Sequence, residues 1–165
     1  MRALVIIFAG LMLTGVALAQ DAKEPPAALE GSMTIERMDT IIKRLDENAT
    51  AASGGSAWQF HIETVPVVVI TDIANNRMRI MIALKNATDM TPEELLRLSQ
   101  ANFDTALDAR YAIAKGVLWA TFIHPLSTLH DRQFIEGIGQ TVNAAKSYGT
   151  TYSSGLLSFG GGDSR

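Results

Sequence analysis

Between Ser32 and Gly149 the apolar positions switch between helical and strand periods four times, with turn chemistry at most junctions. Ile35, Met38, Ile41, Ile42 and Leu45 recur on one helical face, and Glu36, Arg37, Lys43, Arg44 and Glu47 fill the other. This spacing predicts a helix from Met33 to about Asn48, capped by Ser32 or Thr34 and ended by the small residues Ala49 to Ser56. Trp58, Phe60 and Ile62 then alternate with Gln59, His61 and Glu63, which predicts a half-buried strand. In Val65 to Ile73 both alternating sets are apolar, so this strand is expected at the centre of its group. Pro66 cannot donate a ladder bond and belongs at its start. Asn75-Asn76 suits a two-residue turn, because Asn tolerates positive φ. Met78, Ile80, Ile82 and Leu84 alternate with Arg77, Arg79, Met81 and Ala83 as a third strand.

The next helix has the clearest start. Thr91 is an N-cap, Pro92 suits the first helical position, Glu94 completes a capping box, and Met90 with Leu95 forms a hydrophobic staple. Leu95, Leu98 and Phe103 are expected to face the core, with Asn102 beside them and an end near Thr105. Ala109 to Ala114 and Val117 to His124 form a hairpin around Lys115-Gly116, where Gly116 supplies positive φ. A third helix is expected from about Leu129 to Tyr148. Thr128 and Asp131 lie at its start, Leu129, Phe134, Ile138, Val142 and Ala145 form its buried stripe, and Gly149 stands at the C′ position. The pattern therefore reads α-βββ-α-ββ-α. It predicts an α+β fold of two layers, with a five-stranded, mainly antiparallel sheet covered on one face by three helices. The other face is left to solvent or to a partner.

The flanks change the picture. Arg2, the uncharged run Ala3 to Ala19 and the Ala17-Leu18-Ala19 cleavage pattern read as a signal peptide over residues 1–19, cut before Gln20. The alternative is a retained envelope anchor, which mass spectrometry of the mature N-terminus separates. Residues 20–31 form a polar linker stiffened by Pro25-Pro26. The folded domain is expected over residues 32–149, followed by a flexible Gly/Ser-rich tail over residues 150–165. A periplasmic or secreted bacterial product is expected, with no membrane association after cleavage.

Composition narrows the chemistry. The chain has 165 residues, 47% of them hydrophobic, and no cysteine, which excludes disulfides, thiolate metal sites and a Cys nucleophile. Cleavage removes Arg2 and leaves 13 basic against 17 acidic residues, a net charge of −4. That mild acidity, with no basic run, argues against nucleic acid as a partner. His61, His124 and His130 lack metal-ligand spacing. Ser127, His124 or His130, and Asp131 lie too close in sequence to suggest a triad, and no nucleophile elbow is present. No cofactor is expected, and no enzymatic activity. The rival reading is a small periplasmic hydrolase using His124 or His130.

Trp58, Phe60, Trp119 and Phe122 either fill the sheet–helix core or lie on the uncovered face as a dimer or ligand surface, with Met78 and Met81 adding adaptable apolar area. The helix MTIERMDTIIKRLDE, the strands VPVVVITDI and RMRIMIAL, the capped helix TPEELLRLSQANF, the hairpin ARYAIAKGVLWATFI and the closing helix LHDRQFIEGIGQTVNAAKSY carry a resemblance. In this order, Met33 to Tyr148 resembles the type III secretion chaperone-like superfamily, and within it the YbjN-type bacterial domain. The resemblance implies a small α+β domain, often dimeric, that binds protein segments or acts in regulation, without catalytic residues. Such chaperones are cytoplasmic, whereas this chain carries an export signal. A non-enzymatic, chaperone-like protein-binding module and a homodimer are the resulting expectations.

Overall fold

A computed structural model describes residues 33–52 and 55–155. The expected signal peptide and linker, and the end of the tail from residue 156, lie outside the described residues. Within them, three α-helices, α1 (Ile35–Leu45), α2 (Pro92–Asp104) and α3 (Asp131–Ser147), accompany six strands. These are β1 (Thr50–Ala51), β2 (Ala57–Ile62), β3 (Val65–Asp72), β4 (Arg77–Asn86), β5 (Arg110–Ala114) and β6 (Val117–His124). They form one antiparallel sheet in the order β1-β2-β3-β4-β6-β5.

The α+β class and element order match the sequence pattern, with one strand more. β1 is a two-residue strand inside the segment expected to be a connector, pairing Thr50 with Gln59 and Ala51 with Trp58. Two residues are too few to display a period. The β3–β4 connection is also longer than the two-residue turn expected. The Asp72 carboxylate accepts bonds from the Asn75 backbone N–H at 3.1 Å and its side-chain amide at 2.8 Å, and Asn76 alone takes positive φ. The β5–β6 hairpin turns as expected through Lys115 and Gly116, both at positive φ.

Helix boundaries follow their caps. Thr34 caps α1 by accepting a bond from the Arg37 N–H, and Ser32 lies outside the described residues. At α2 the Thr91 hydroxyl accepts from the Glu94 N–H, but the Glu94 carboxylate does not serve the cap: it takes bonds from Lys85 and from the Tyr148 hydroxyl. At α3 the expected Thr128 lies in a 3-10 turn, and His130 is the N-cap, exchanging bonds with Gln133. Tyr152 to Gly155 packs on the domain, where a flexible tail was expected from residue 150. Tyr152 meets the rings of Tyr111 and Tyr148, and Ser154 is buried with its hydroxyl accepting from the Leu107 N–H.

The core lies between the helices and one sheet face. Trp58, Phe60, Val67, Val69, Met78, Ile80, Ile82, Leu118, Ala120 and Phe122 project to that side, against Met38 and Ile42 of α1 and Phe134, Ile138 and Val142 of α3. Gly137 lets α3 approach closely, since a Cβ there would stand 2.8 Å from the Phe122 ring. Both sides of the sheet carry side chains that occupy strand backbone. Asn102 of α2 accepts from the Tyr111 N–H at 2.8 Å and donates to the Tyr111 carbonyl at 2.9 Å, so it stands in for a neighbouring strand beside β5. The Asp46 carboxylate accepts from the His61 N–H on β2 at 2.8 Å. Occupying edge groups in this way hinders edge-to-edge association.

Candidate functional site

Strand alternation sends every second side chain away from the helices. The register places Ala57, Ile70, Arg79 and Ile123 in one row across this second face. The next row is Gln59, Val68, Met81, Thr121 and Arg110, and beyond it Ala83, Trp119 and Ala112 align. Val68, Ile70, Met81 and Trp119 are half-buried, and Ile123 is 51% exposed. None of these five belongs to the core cluster or packs on it. The result is a largely apolar surface on a sheet face, the kind of patch that marks interaction sites.

The expected partner-binding residues divide between the two faces. Trp58, Phe60, Met78 and Phe122 are buried under the helices, as the core-filling alternative has it, and offer no surface to a partner. Met81 and Trp119 lie on the uncovered face. The Trp119 indole N–H donates to the Ala114 carbonyl at 3.1 Å, which holds the ring against the hairpin. Val68, Ile70 and Ile123 belong to the same surface. Their signal in the sequence was the second apolar set of β3 and the period-two match of Ile123 with Trp119. That second set reflects an apolar face that no described helix covers.

Arginines interrupt this surface. Arg79 stands between Ile70 and Ile123, and Arg77 follows toward the β3–β4 connection. Arg37, Lys43, Lys85, Arg132 and Lys146 each pair with a carboxylate. Among the described residues neither Arg77 nor Arg79 has such an ion pair; Arg77 donates one bond to the Asn76 carbonyl at 2.8 Å. Asp72 is the acid opposite Arg77 on this face. The Asn75 side-chain amide, then the Asn75 N–H, hold its carboxyl below the ordinary range, with the Arg79 charge adding to them.

A second exposed apolar surface runs along α2. Leu95 is 43%, Leu96 61% and Phe103 80% exposed, where the sequence pattern had Leu95 and Phe103 facing the core. Leu98 and Ala101 supply the buried contact instead. The reason is position: α2 lies beside edge strand β5, so a narrower stripe suffices. Ile113 of β5, 49% exposed, continues this surface, and a shallow groove lined by Leu95, Leu98, Asn102 and Tyr111 runs between them.

The residues of the hydrolase alternative do not converge. His124 Nδ1 lies 2.8 Å from the Pro125 carbonyl, and its ring stacks on Phe122. Ser127 accepts from the Asn76 side-chain amide at 2.8 Å, and Asp131 binds the Arg37 guanidinium, which holds its carboxyl below the ordinary range. His130 is engaged at the α3 cap. Among the described residues, no group of three His, Asp or Glu side chains is placed to hold a metal ion. Glu94 is held low, first by the Tyr148 hydroxyl and then by Lys85, while burial and Glu94 push the Tyr148 phenol up. This network ties α2 to β4 and to the end of α3.

No family model matches the chain, and no curated protein matches it. Among solved structures it is similar to a chain of "Structure of the HopA1-SchA Chaperone-Effector Complex", with a TM-score of 0.46 and 13% identity, over 67% of this chain and 91% of that one.

Proposed function

We propose that this protein is a non-enzymatic, chaperone-like protein-binding module of the bacterial envelope, exported by its N-terminal segment and assembled as a homodimer. The observation that carries the reading is the apolar sheet face of Val68, Ile70, Met81, Trp119 and Ile123, which no described helix covers. An extended or helical segment of a partner protein laid on that face would bury these side chains. The α-βββ-α-ββ-α order, apart from the short added β1, supports the YbjN-type resemblance of Met33 to Tyr148. The dimer is assigned to α2, where Leu96 and Phe103 lie two turns apart on one exposed face beside Leu95 and Ile113.

Two measurements test the reading. A panel of unstructured peptides is screened against the protein carrying Met81→Asp or Ile123→Asp. The expectation is lost binding in both, with the melting temperature unchanged in Ile123→Asp, whose side chain is half exposed. Absence of any binding peptide, or binding indifferent to both substitutions, overturns the partner assignment. Light scattering of Phe103→Glu is expected to give a monomer where the parent gives a dimer. A monomeric parent at high concentration overturns the homodimer.

A further inference from the structure

Arg79 stands on the sheet face near the Asp72 carboxylate, whose ionised form its charge favours. It is exposed, makes no ion pair among the described residues, and is flanked across the strands by Ile70 and Ile123. Arg77 lies two residues away on the same face of β4, and only the Asp72 carboxylate, already engaged by Asn75, lies opposite it. Two cations thus stand at one end of an apolar surface, on a chain whose net charge is −3. From this charge pattern we infer that the partner segment is acidic and amphipathic: a carboxylate meets Arg79 and Arg77, and neighbouring apolar side chains seat on Val68, Met81, Ile123 and Trp119. The inference rests on the proposed role of this face and adds the chemistry of what it takes.

The arginine fork fits a carboxylate bidentately, and apolar neighbours that exclude water strengthen such a pair. Adjacent rows on the face are two residues apart along each strand, about 7 Å. That spacing suits a partner strand whose alternate residues face down, or a helix with anchors one turn apart. Other occupants fit less well. A second copy would bring its own Arg77 and Arg79, with Asp72 as the only counter-charge. Nucleic acid or an anionic membrane calls for a broader basic field than Arg77, Arg79 and, at the sheet edge, Arg110 on an acidic chain.

The test uses the full chain and two fluorescein-labelled probes: a twelve-residue peptide alternating Leu and Glu, and its twin with Gln for Glu. Of the chain's two tryptophans, Trp58 is buried, so shielding from acrylamide quenching upon binding reports on Trp119. The Glu peptide is expected to shield Trp119, to bind about fivefold more tightly than the Gln twin at low salt, and to lose that advantage with Arg79→Gln. Arg79→Gln should leave the melting temperature and the twin's affinity unchanged. Equal binding of both peptides, unaffected by Arg79→Gln but abolished by Met81→Asp, overturns the acidic-partner inference and leaves the face as a binding surface. Binding of neither peptide, or binding indifferent to Met81→Asp, overturns both. Binding to phosphatidylglycerol vesicles without binding to the Glu peptide overturns the inference in favour of a membrane surface.

Discussion

Helix α3 holds two glycines, two residues apart, for which the structure predicts opposite responses to the same substitution. Gly139 faces solvent, and a Cβ there meets nothing within 4 Å. Replacing a helix-interior Gly by Ala relieves a backbone penalty of about 1 kcal/mol, so Gly139→Ala is expected to stabilise the protein by about 0.5–1 kcal/mol. Gly137 carries the same intrinsic gain, but its Cβ would lie 2.8 Å from Cδ1 and Cε1 of Phe122 and 3.1 Å from Cγ. The Cγ contact lies near the root of the side chain, so a small torsion does not clear it. The ring is buried, and its other neighbours include the stacked His124 imidazole. Overpacking of this kind costs about 1–3 kcal/mol, which exceeds the propensity gain. Gly137→Ala should therefore be less stable than the parent by about 1 kcal/mol, and the two variants should differ by about 2 kcal/mol. Thermal unfolding followed by circular dichroism reads this as melting temperatures displaced by about 4 °C in opposite directions from the parent. A double-mutant cycle sharpens the test, because Gly137→Ala placed in a Phe122→Leu background should lose its penalty. A Gly137→Ala protein melting at or above the parent would refute close α3–β6 contact as the feature that sets the helix on the sheet.

Asn102→Ala removes both side-chain bonds to the Tyr111 backbone and is expected to cost about 1–3 kcal/mol, as for polar groups left unpaired. Hydrogen exchange should show the Tyr111 amide losing protection ahead of the rest of β5, and unchanged protection would contradict the edge role. Acid should destabilise the fold. Asp131 is held low by Arg37, Asp46 by the His61 and Asn48 N–H groups, Asp39 by Lys43 and then Trp58, and Glu94 by Tyr148. Each native carboxyl binds its proton less readily than the unfolded one, so the contribution is full above the unfolded values near 4 and is lost as pH falls through the native ones. Melting temperatures should therefore drop between pH 5 and pH 3, and Asp46→Asn should flatten that drop; a melting temperature unchanged over the interval would show that these carboxylates do not control stability.

Much of the architecture was legible because it depends on local periods. The stripe of α1, the alternation of β2 and β4, the Thr91-Pro92 start of α2 and the Lys115-Gly116 turn each arise within a few residues. What escaped needed a neighbour distant in sequence. Phe103 sits in an apolar pattern, yet α2 lies beside β5 and leaves it exposed. The Gly/Ser-rich stretch after Gly149 looked unstructured, yet Tyr152 finds Tyr111 and Tyr148, and Ser154 finds Leu107. Glu94 has the position of a capping residue, but Lys85 and Tyr148 compete for its carboxylate.

The candidate surface shows the same division. Side-chain alternation alone put Met78 and Met81 on opposite faces, and Trp119 with Ile123 on one face, since the strand period is two. Which face the helices cover could not be read that way, because it depends on the hand and register with which α1 and α3 return to the sheet. Packing placed Trp58, Phe60, Met78 and Phe122 beneath those helices. It left Val68, Ile70, Met81, Trp119 and Ile123 outside the core, and set Arg79 among them. Local chemistry thus determined the elements and their amphipathic faces, while long-range packing decided which apolar face became core and which stayed outside it.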